Sequence, residues 1–136
     1  MLEIMLVVTI IALLLAAAIK FMSPNVDIAK RVRVAGDIQA IKTSLLAYQG
    51  INGFYPTTEQ GLQALVAKPD GVDRWQGPYL QKQVPGDPWG RAYKYKSPGD
   101  HSDYDLYSYG SDNAPGGVGE AQDVNSWETT ATIKTQ

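Results

Sequence analysis

The first nineteen residues constrain this chain more than any other stretch. They read MLEIMLVVTIIALLLAAAI and contain a single charged side chain, Glu3. At about 1.5 Å per residue, a helix over this stretch would span about 28 Å, close to the hydrocarbon thickness of a bilayer. The segment therefore predicts a helix that is received either by a membrane or by a bundle of apolar helices.

Glu3 is the unusual residue of this segment. A charged side chain within an apolar helix costs about 2.5–3.5 kcal/mol on insertion scales, so a carboxylate here favours a partner of opposite charge. No basic residue lies within the segment, which makes the N-terminal ammonium of another copy a natural partner. The alternative is that Glu3 lies at the membrane surface, exposed and without a role.

Two other observations bear on the apolar run. Ala16–Ala18 resemble a signal-peptide cleavage site, but no positively charged region precedes the run. Lys20 and the basic residues that follow would, by the positive-inside rule alone, place the rest of the chain in the cytoplasm. Charges in a leader upstream of Met1 would reverse that orientation.

The next stretch predicts an amphipathic continuation of the helix. Apolar residues recur at spacings of three and four, which places them on one helix face. They are Val34, Ile38, Ile41, Leu45 and Tyr48. Pro24 is expected to end or kink the helix, or with Ser23 to restart it. Residues 2–49 are therefore interpreted as one long helix with an apolar half and an amphipathic half.

The remaining residues must cover the apolar stripe of this helix. Thr57 and Gln60 have the spacing of a capping box and predict a short helix to about Ala67, with Leu62, Leu65 and Val66 inward. Residues 70–90 are expected to be irregular and to fill the core with aromatic rings. Residues 91–96 and 104–109 predict an antiparallel hairpin, followed by a glycine-rich loop.

The predicted fold class is α+β, with a long N-terminal helix packed on a small antiparallel sheet and a glycine-rich C-terminal loop. The predicted domain boundaries are 1–22 for a transmembrane or filament-core helix and 23–136 for a globular domain. A chain of 136 residues allows one small domain beyond the apolar run. Because cysteine is absent, something other than a disulfide must hold an exported domain, which favours a metal.

The sequence contains no recognisable catalytic pattern. It lacks a cysteine nucleophile, a G-x-S-x-G elbow, an H-E-x-x-H helix and a P-loop. The only histidine, His101, lies in a polar stretch that predicts a solvated turn. Basic residues cluster only at Lys30, Arg31 and Arg33, so nucleic-acid binding has little support. We therefore expect that the protein is not an enzyme.

The C-terminal loop carries the best candidate binding site. Asp112, Glu120 and Asp123 lie within twelve residues of glycine-rich chain. Calcium takes six to eight oxygen ligands from carboxylates, main-chain carbonyls and water, and the spacing does not match an EF-hand. The alternative is a loop that is merely solvated. A second cluster, Asp100, Asp103 and Asp105, is a weaker candidate for the same chemistry.

Four stretches together resemble the major pseudopilins of bacterial type II secretion systems, a branch of the type IV pilin superfamily. They are LEIMLVV at the start, YPTTEQGLQAL at 55–65, VPGDPWGRAYKY at 84–95, and DLYSYGSDN with DVNSW between 105 and 127. The resemblance implies subunits that wait in the bacterial inner membrane and polymerise into a periplasmic filament, which helps push folded exoproteins through an outer-membrane channel. The implied partners are further copies of the chain, other pseudopilins and inner-membrane secretion components.

The same resemblance implies roles for individual residues. Glu3 matches a near-terminal glutamate that neutralises the N-terminal amine of a neighbouring subunit. Asp112 and Asp123 fall on acidic calcium-ligand positions, and Tyr109 falls on a position that contributes its carbonyl. Gln122 stands where some members carry another aspartate, which leaves Glu120 as the third acid. Asn113 replaces a frequent glycine and is expected to adopt its left-handed conformation.

The chain also departs from the family within the apolar helix. A helix-loosening glycine and a proline are replaced by Ala12 and Lys20, so we expect a continuous helix between them, also within a filament. Two alternative functions remain at this point. One is a type IV pilin for adhesion, motility or DNA uptake, although many such pilins carry a disulfide. The other is a binding domain that uses the helix only as a membrane tether.

Overall fold

The computed structural model describes residues 1–117 and 122–127, with the side chains of all of these except 22–25. Its elements in chain order are helix α1 (Leu2–Asn52), a 3₁₀ helix (Leu62–Leu65), strand β1 (Lys94–Lys96), strand β2 (Asp105–Ser108), a second 3₁₀ helix (Gly110–Asp112) and strand β3 (Val124–Asn125). A long helix with a small antiparallel sheet confirms the α+β prediction.

Helix α1 is a single element of 51 residues. It continues through Pro24, so the expectation that the helix ends or restarts there is wrong. Proline removes one backbone hydrogen bond, but its fixed φ is compatible with helical geometry. Gly53, at φ 88°, follows the last helical residue, and its N–H donates to the carbonyl of Gln49 at 2.7 Å. The helix therefore ends at Asn52, three residues beyond the predicted end at residue 49.

The chain divides into two compact units, Met1–Lys30 and Arg31–Gln136. This division falls later in the chain than the predicted domain boundary at residue 22. The first unit is helical, and its large apolar side chains are exposed at every described position up to Phe21. Among the described residues, α1 is the one helix that is long and apolar enough to cross a membrane.

The second unit is built on the predicted apolar stripe of α1. All five stripe residues are buried: Val34, Ile38, Ile41, Leu45 and Tyr48. The core is completed by Leu62, Ala64, Leu65, Val72, Tyr93 and Leu106. Of the three inward residues predicted after the capping box, Leu62 and Leu65 are buried and Val66 is only half-buried, because Ala64 takes the inner position.

Residues 66–93 contain no named helix or strand, and polar contacts hold them on the core. The indole N–H of Trp75 donates to the carbonyl of Ala64 at 2.7 Å, and the N–H of Tyr79 donates to the carbonyl of Leu65 at 2.8 Å. The hydroxyl of Ser44 on α1 donates to the carbonyl of Tyr79 at 3.1 Å. Backbone groups that lack strand partners are thus satisfied locally.

The predicted capping box forms, but an α-helix does not follow it. The N–H of Thr57 donates to Oε1 of Gln60 at 3.0 Å, and the N–H of Gln60 donates to Oγ1 of Thr57 at 3.2 Å. Gly61 then adopts φ 61°, which a right-handed helix cannot contain. The chain therefore forms only the short 3₁₀ helix that starts at Leu62.

The predicted hairpin is confirmed, and a third strand joins it. Strands β1 and β2 are antiparallel, with Tyr95 opposite Leu106. Strand β3 pairs antiparallel with β2 and places Val124 opposite Ser108, in a part of the chain that was predicted as loop. The sheet order is β1–β2–β3, so β2 is central and the glycine-rich loop connects β2 to β3.

Two adjacent leucines test the assignment of the stripe. Leu45 is 0% exposed and Leu46 is 61% exposed. We expect Leu45→Ala to lower the free energy of unfolding by about 2–5 kcal/mol, because it leaves a cavity in the core. Leu46→Ala is the control and should change it by no more than about 0.5 kcal/mol. Denaturant unfolding of the detergent-solubilised chain measures both, and equal effects would contradict the burial pattern.

Candidate functional site

The candidate metal loop, which we define as residues 109–123, begins directly after β2. Tyr109 precedes the 3₁₀ helix Gly110–Asp112, and Asn113 follows it at φ 53° and ψ 35°. This is the left-handed conformation predicted for Asn113, which asparagine adopts more readily than most residues do. Glu120 lies outside the described residues, as do its neighbours 118, 119 and 121.

Two of the predicted acidic ligands contact one short turn of this loop. Oδ1 of Asp112 accepts a hydrogen bond from the N–H of Ala114 at 3.1 Å. Oδ2 of Asp123 accepts one from the N–H of Gly116 at 2.9 Å, while Oδ1 of Asp123 is buried. Residues 112 and 123 are thus brought to the same segment of backbone, from opposite ends of the loop.

The described part of the loop offers only oxygen donors. These are the carboxylates of Asp112 and Asp123 and main-chain carbonyls, including that of Tyr109, which suit a hard cation such as calcium. Over residues 1–117 and 122–127, no three carboxylate or imidazole side chains are close enough together to hold a metal ion. The third acid predicted for the site, Glu120, is not among those residues. The donor chemistry therefore fits calcium, with the remaining ligands to come from carbonyls and water.

The closing end of the loop is tied to both β2 and α1. Oγ of Ser126 accepts from the N–H of Leu106 at 3.1 Å, and the N–H of Ser126 donates to the carbonyl of Leu106 at 2.8 Å. Lys42 donates from Nζ to the carbonyl of Ser126 at 3.1 Å. Gln122, which replaces an expected aspartate, accepts from Nη2 of Arg31 at 2.7 Å. Gln122 therefore contacts the helix through its amide.

The second acidic cluster, Asp100, Asp103 and Asp105, does not form a group of three metal-ligating side chains in the described structure, and Asp105 is a buried turn residue. Its carboxylate is 3% exposed and accepts from the N–H of Asp100 at 2.9 Å and the N–H of His101 at 3.2 Å. Nδ1 of His101 lies 3.0 Å from Oδ2 of Asp105. A Cβ at Gly99 would lie 2.6 Å from Oδ1 of Asp105, so this turn requires glycine.

His101 was predicted to lie in a solvated turn, but its side chain also packs against an aromatic ring. Its ring stacks on the indole of Trp127, with the ring centroids 4.1 Å apart and the planes within 3° of parallel. The indole also meets the ring of Tyr107 edge-on at 5.8 Å. The aromatic and imidazole rings thus hold Trp127, two residues after the end of β3, against the turn before β2. No sequence spacing links these positions.

The pKa of the Asp105 carboxyl reflects this environment. Burial raises its pKa, but the hydrogen bonds from the His101 side chain and from the N–H groups of Asp100 and His101 outweigh burial. The pKa of Asp105 is therefore lowered below its usual value of 3.8. Tyr104, half-buried nearby, has its pKa raised to about 12, mainly by burial.

Comparisons with known proteins place the chain in a family. Residues 22–127 match the family described as Type II secretion system (T2SS), protein G. The type II secretion system core protein G of Pseudomonas aeruginosa is 40% identical over 131 residues, which are 94% of this chain and 92% of that protein. Its counterpart in Vibrio cholerae is 38% identical over 130 residues, or 93% of this chain and 88% of that protein.

A solved structure shares the fold. It is the crystal structure of the major pseudopilin from the type 2 secretion system of enterohaemorrhagic Escherichia coli, with a TM-score of 0.64 and 38% sequence identity. The match covers 76% of this chain and 90% of that chain.

The long helix with one buried stripe and the small antiparallel sheet define a pilin-like protein of the pseudopilin class. This class is structural, and the expectation that the protein is not an enzyme is confirmed. The chain belongs to the type II secretion system protein G family. The relatives described above are secretion proteins, so the alternative of a type IV pilus protein has no support. The apolar start of α1 suits membrane anchoring.

Asp105→Asn tests the buried turn. At neutral pH we expect a loss of about 1–3 kcal/mol in the free energy of unfolding, because buried donors lose their charged acceptor. A carboxylate with a lowered folded pKa stabilises the fold above its unfolded pKa and ceases to do so as pH falls through the folded value. The difference between wild type and Asp105→Asn should therefore narrow below pH 3.8.

The matched control is Asp103→Asn, because Asp103 is exposed two residues away. Urea unfolding between acidic and neutral pH measures both variants. A stability difference for Asp105→Asn that stays constant as the pH falls below 3.8 would show that the charge of Asp105 does not stabilise the turn.

Proposed function

We propose that this protein is the subunit of a homopolymeric filament, the type II secretion pseudopilus, which helps drive folded exoproteins across the outer membrane. Its subunits wait in the inner membrane and assemble into the periplasm, together with other pseudopilins and inner-membrane secretion components. The observation that carries this proposal is the apolar surface of α1. Every described large apolar side chain from Met1 to Phe21 is exposed.

An exposed apolar surface of this size requires a cover. A single soluble protein rarely leaves so much contiguous apolar surface in water, because burying it is worth about 25 cal/mol per Å². Lipid covers the surface while the subunit waits. Other copies of the same helix cover it after assembly, since helices that are apolar all round pack with one another as well as with lipid.

Glu3 gives the assembly a direction and a register. It lies in the first turn of α1 and is exposed among apolar neighbours. In an apolar environment, a carboxylate is stabilised by an opposite charge, and the N-terminal amine of an adjacent subunit supplies one. In a subunit that waits in the membrane, the charge of Glu3 has no opposite charge beside it. In the filament, the amine of the adjacent subunit neutralises it. Pairing therefore favours addition at a fixed offset between helices.

Calcium is the proposed ligand of the candidate metal loop. Asp112, Asp123, Glu120 and the carbonyl of Tyr109 would hold it, and the bound cation would neutralise the clustered carboxylates. Asp112 and Asp123 both bond to the turn 114–116, so a cation held by both carboxylates would tie the two ends of the loop together beside that turn. Such a closure replaces the disulfide that this cysteine-free chain cannot form.

Replacement of Glu3 separates a filament subunit from a tethered domain. We expect Glu3→Ala to abolish or strongly reduce filaments in cells that carry the complete secretion machinery, while the membrane level of the protein is maintained. The physical reason is that no charge remains to pair with the amine of the neighbour. Electron microscopy of sheared surface filaments, with immunoblots of the membrane fraction, measures both quantities.

The control is Glu59→Ala, an exposed acid in the second unit, which should leave filament number unchanged. Normal filament number in Glu3→Ala cells would refute the pairing role, and an absence of filaments in wild-type cells would refute the assembly role itself.

Calcium should stabilise the native chain. A ligand that binds only the folded state adds about 2.7 kcal/mol at one hundred times its Kd. Thermal melting should therefore shift upward between chelator and millimolar calcium for wild type and for the control Asp70→Asn, whose side chain is exposed in a distant turn. Asp112→Asn and Asp123→Asn should each lose most of the shift. Equal melting temperatures with and without calcium in the wild type would exclude the metal.

A further inference from the structure

Arg91 lies outside the candidate metal loop but contacts its first turn. Nη1 of Arg91 donates to the carbonyl of Gly110 at 3.0 Å and to the carbonyl of Ser111 at 3.3 Å. These two carbonyls lie in the 3₁₀ helix between Tyr109 and Asp112, the two proposed ligands at the start of the loop. The guanidinium therefore bonds to the backbone segment that joins those ligands.

The backbone of Arg91 is itself held in a tight turn. Its N–H donates to Oδ1 of Asp87 at 2.8 Å, and its carbonyl accepts from the N–H of Asp87 at 2.7 Å. Oδ1 of Asp87 also accepts from the N–H of Trp89 at 3.1 Å. Asp87 is 6% exposed, so this turn is closed around a buried carboxylate. The base of the arginine side chain is thus fixed before the side chain reaches the loop.

A second set of hydrogen bonds joins the turn between Asp87 and Arg91 to the candidate metal loop. Oδ2 of Asp87 accepts from the hydroxyl of Ser108 at 3.0 Å, and Oγ of Ser108 accepts from the N–H of Gly110 at 3.3 Å. Gly110 is therefore held through both of its backbone polar groups, with its N–H bonded to Ser108 and its carbonyl bonded to Arg91. Fixing both groups leaves the backbone at Gly110, which has φ 71°, little freedom to rotate.

We propose that Arg91 is a positioning residue for calcium binding. It holds the first turn of the candidate metal loop in the calcium-binding conformation before the cation binds. This inference rests on the calcium site proposed above. Arginine suits the task because its guanidinium keeps its charge and presents several donors in a rigid plane, so one side chain bonds to two carbonyls. A loop that is already ordered loses less conformational freedom on binding.

Charge alone predicts the opposite effect. A guanidinium close to a cation site repels the cation, so its removal would tighten calcium binding. A purely structural role predicts a third result, in which the variant is less stable but its folded form binds calcium as tightly as wild type does. The calcium Kd and the stability of the calcium-free chain together separate these readings.

The experiment compares Arg91→Met, Arg91→Lys and the control Arg74→Met, an exposed arginine in another turn. Calcium chloride is titrated into each detergent-solubilised full chain by calorimetry, and melting is measured in chelator. Removal of groups that orient metal ligands typically weakens metal affinity by about 10–100-fold, so Arg91→Met should raise the Kd by this factor. Arg91→Lys keeps one donor and should raise it less, and Arg74→Met should not change it.

Two results would overturn the inference: a calcium Kd for Arg91→Met equal to that of wild type, whether or not its melting temperature in chelator falls, or a Kd lower than that of wild type. If Arg91→Met does not fold, the calcium Kd of Arg91→Lys tests the inference instead. A Kd for Arg91→Lys equal to that of the wild-type chain then overturns it. If wild type and Arg74→Met themselves take up no calcium, the calcium site fails and this inference fails with it. Calcium binding by wild type with an unaltered Arg91→Met refutes only the role of Arg91.

Discussion

Burial of one apolar stripe on α1 is the constraint on which the second unit depends. The stripe runs from Val34 to Tyr48, and among the residues that the structure describes no strand is longer than four residues. Three short strands cannot cover such a stripe alone. Irregular chain therefore completes the cover, and its backbone polar groups must find partners individually. The bond from Ser44 to the carbonyl of Tyr79 and the indole bond of Trp75 illustrate how that requirement is met.

Buried carboxylates organise the turns on which the sheet and loop depend. Asp87 and Asp105 are both nearly inaccessible, and each accepts backbone N–H groups from the turn in which it lies. An ionised carboxylate tolerates burial when several donors surround it. The acids of the candidate metal loop differ from Asp87 and Asp105. Asp112 is exposed, and both Asp112 and Asp123 bond to a single short turn. Acidic composition alone does not distinguish a buried turn carboxylate from a candidate metal ligand.

The two units differ in whether their apolar side chains are buried. The first presents apolar side chains with no cover inside the monomer, and the second buries its apolar stripe within itself. The second unit is therefore held by intramolecular packing, whereas lipid or further subunits cover the first unit only in the function proposed above.

Local pattern in the sequence determined the long helix, its buried stripe and the β1–β2 hairpin, because each depends on residues close together in the chain. The left-handed Asn113 follows from the same kind of local rule. The capping box at Thr57 formed as predicted, but the positive φ of Gly61 prevented the helix expected after it. The metal ligands and the role of Glu3 stay predictions.

Tertiary structure alone decided which distant groups meet. The pairing of β3 with β2, the stacking of His101 on Trp127, and the bonds from Arg91 to the loop each join residues separated by many positions. Spacing rules follow from the period of a helix or strand, and they carry no information about contacts between separate elements. Asp105 appeared as one of three clustered acids in the sequence, and only the tertiary structure shows that it is buried and accepts hydrogen bonds from the turn before β2.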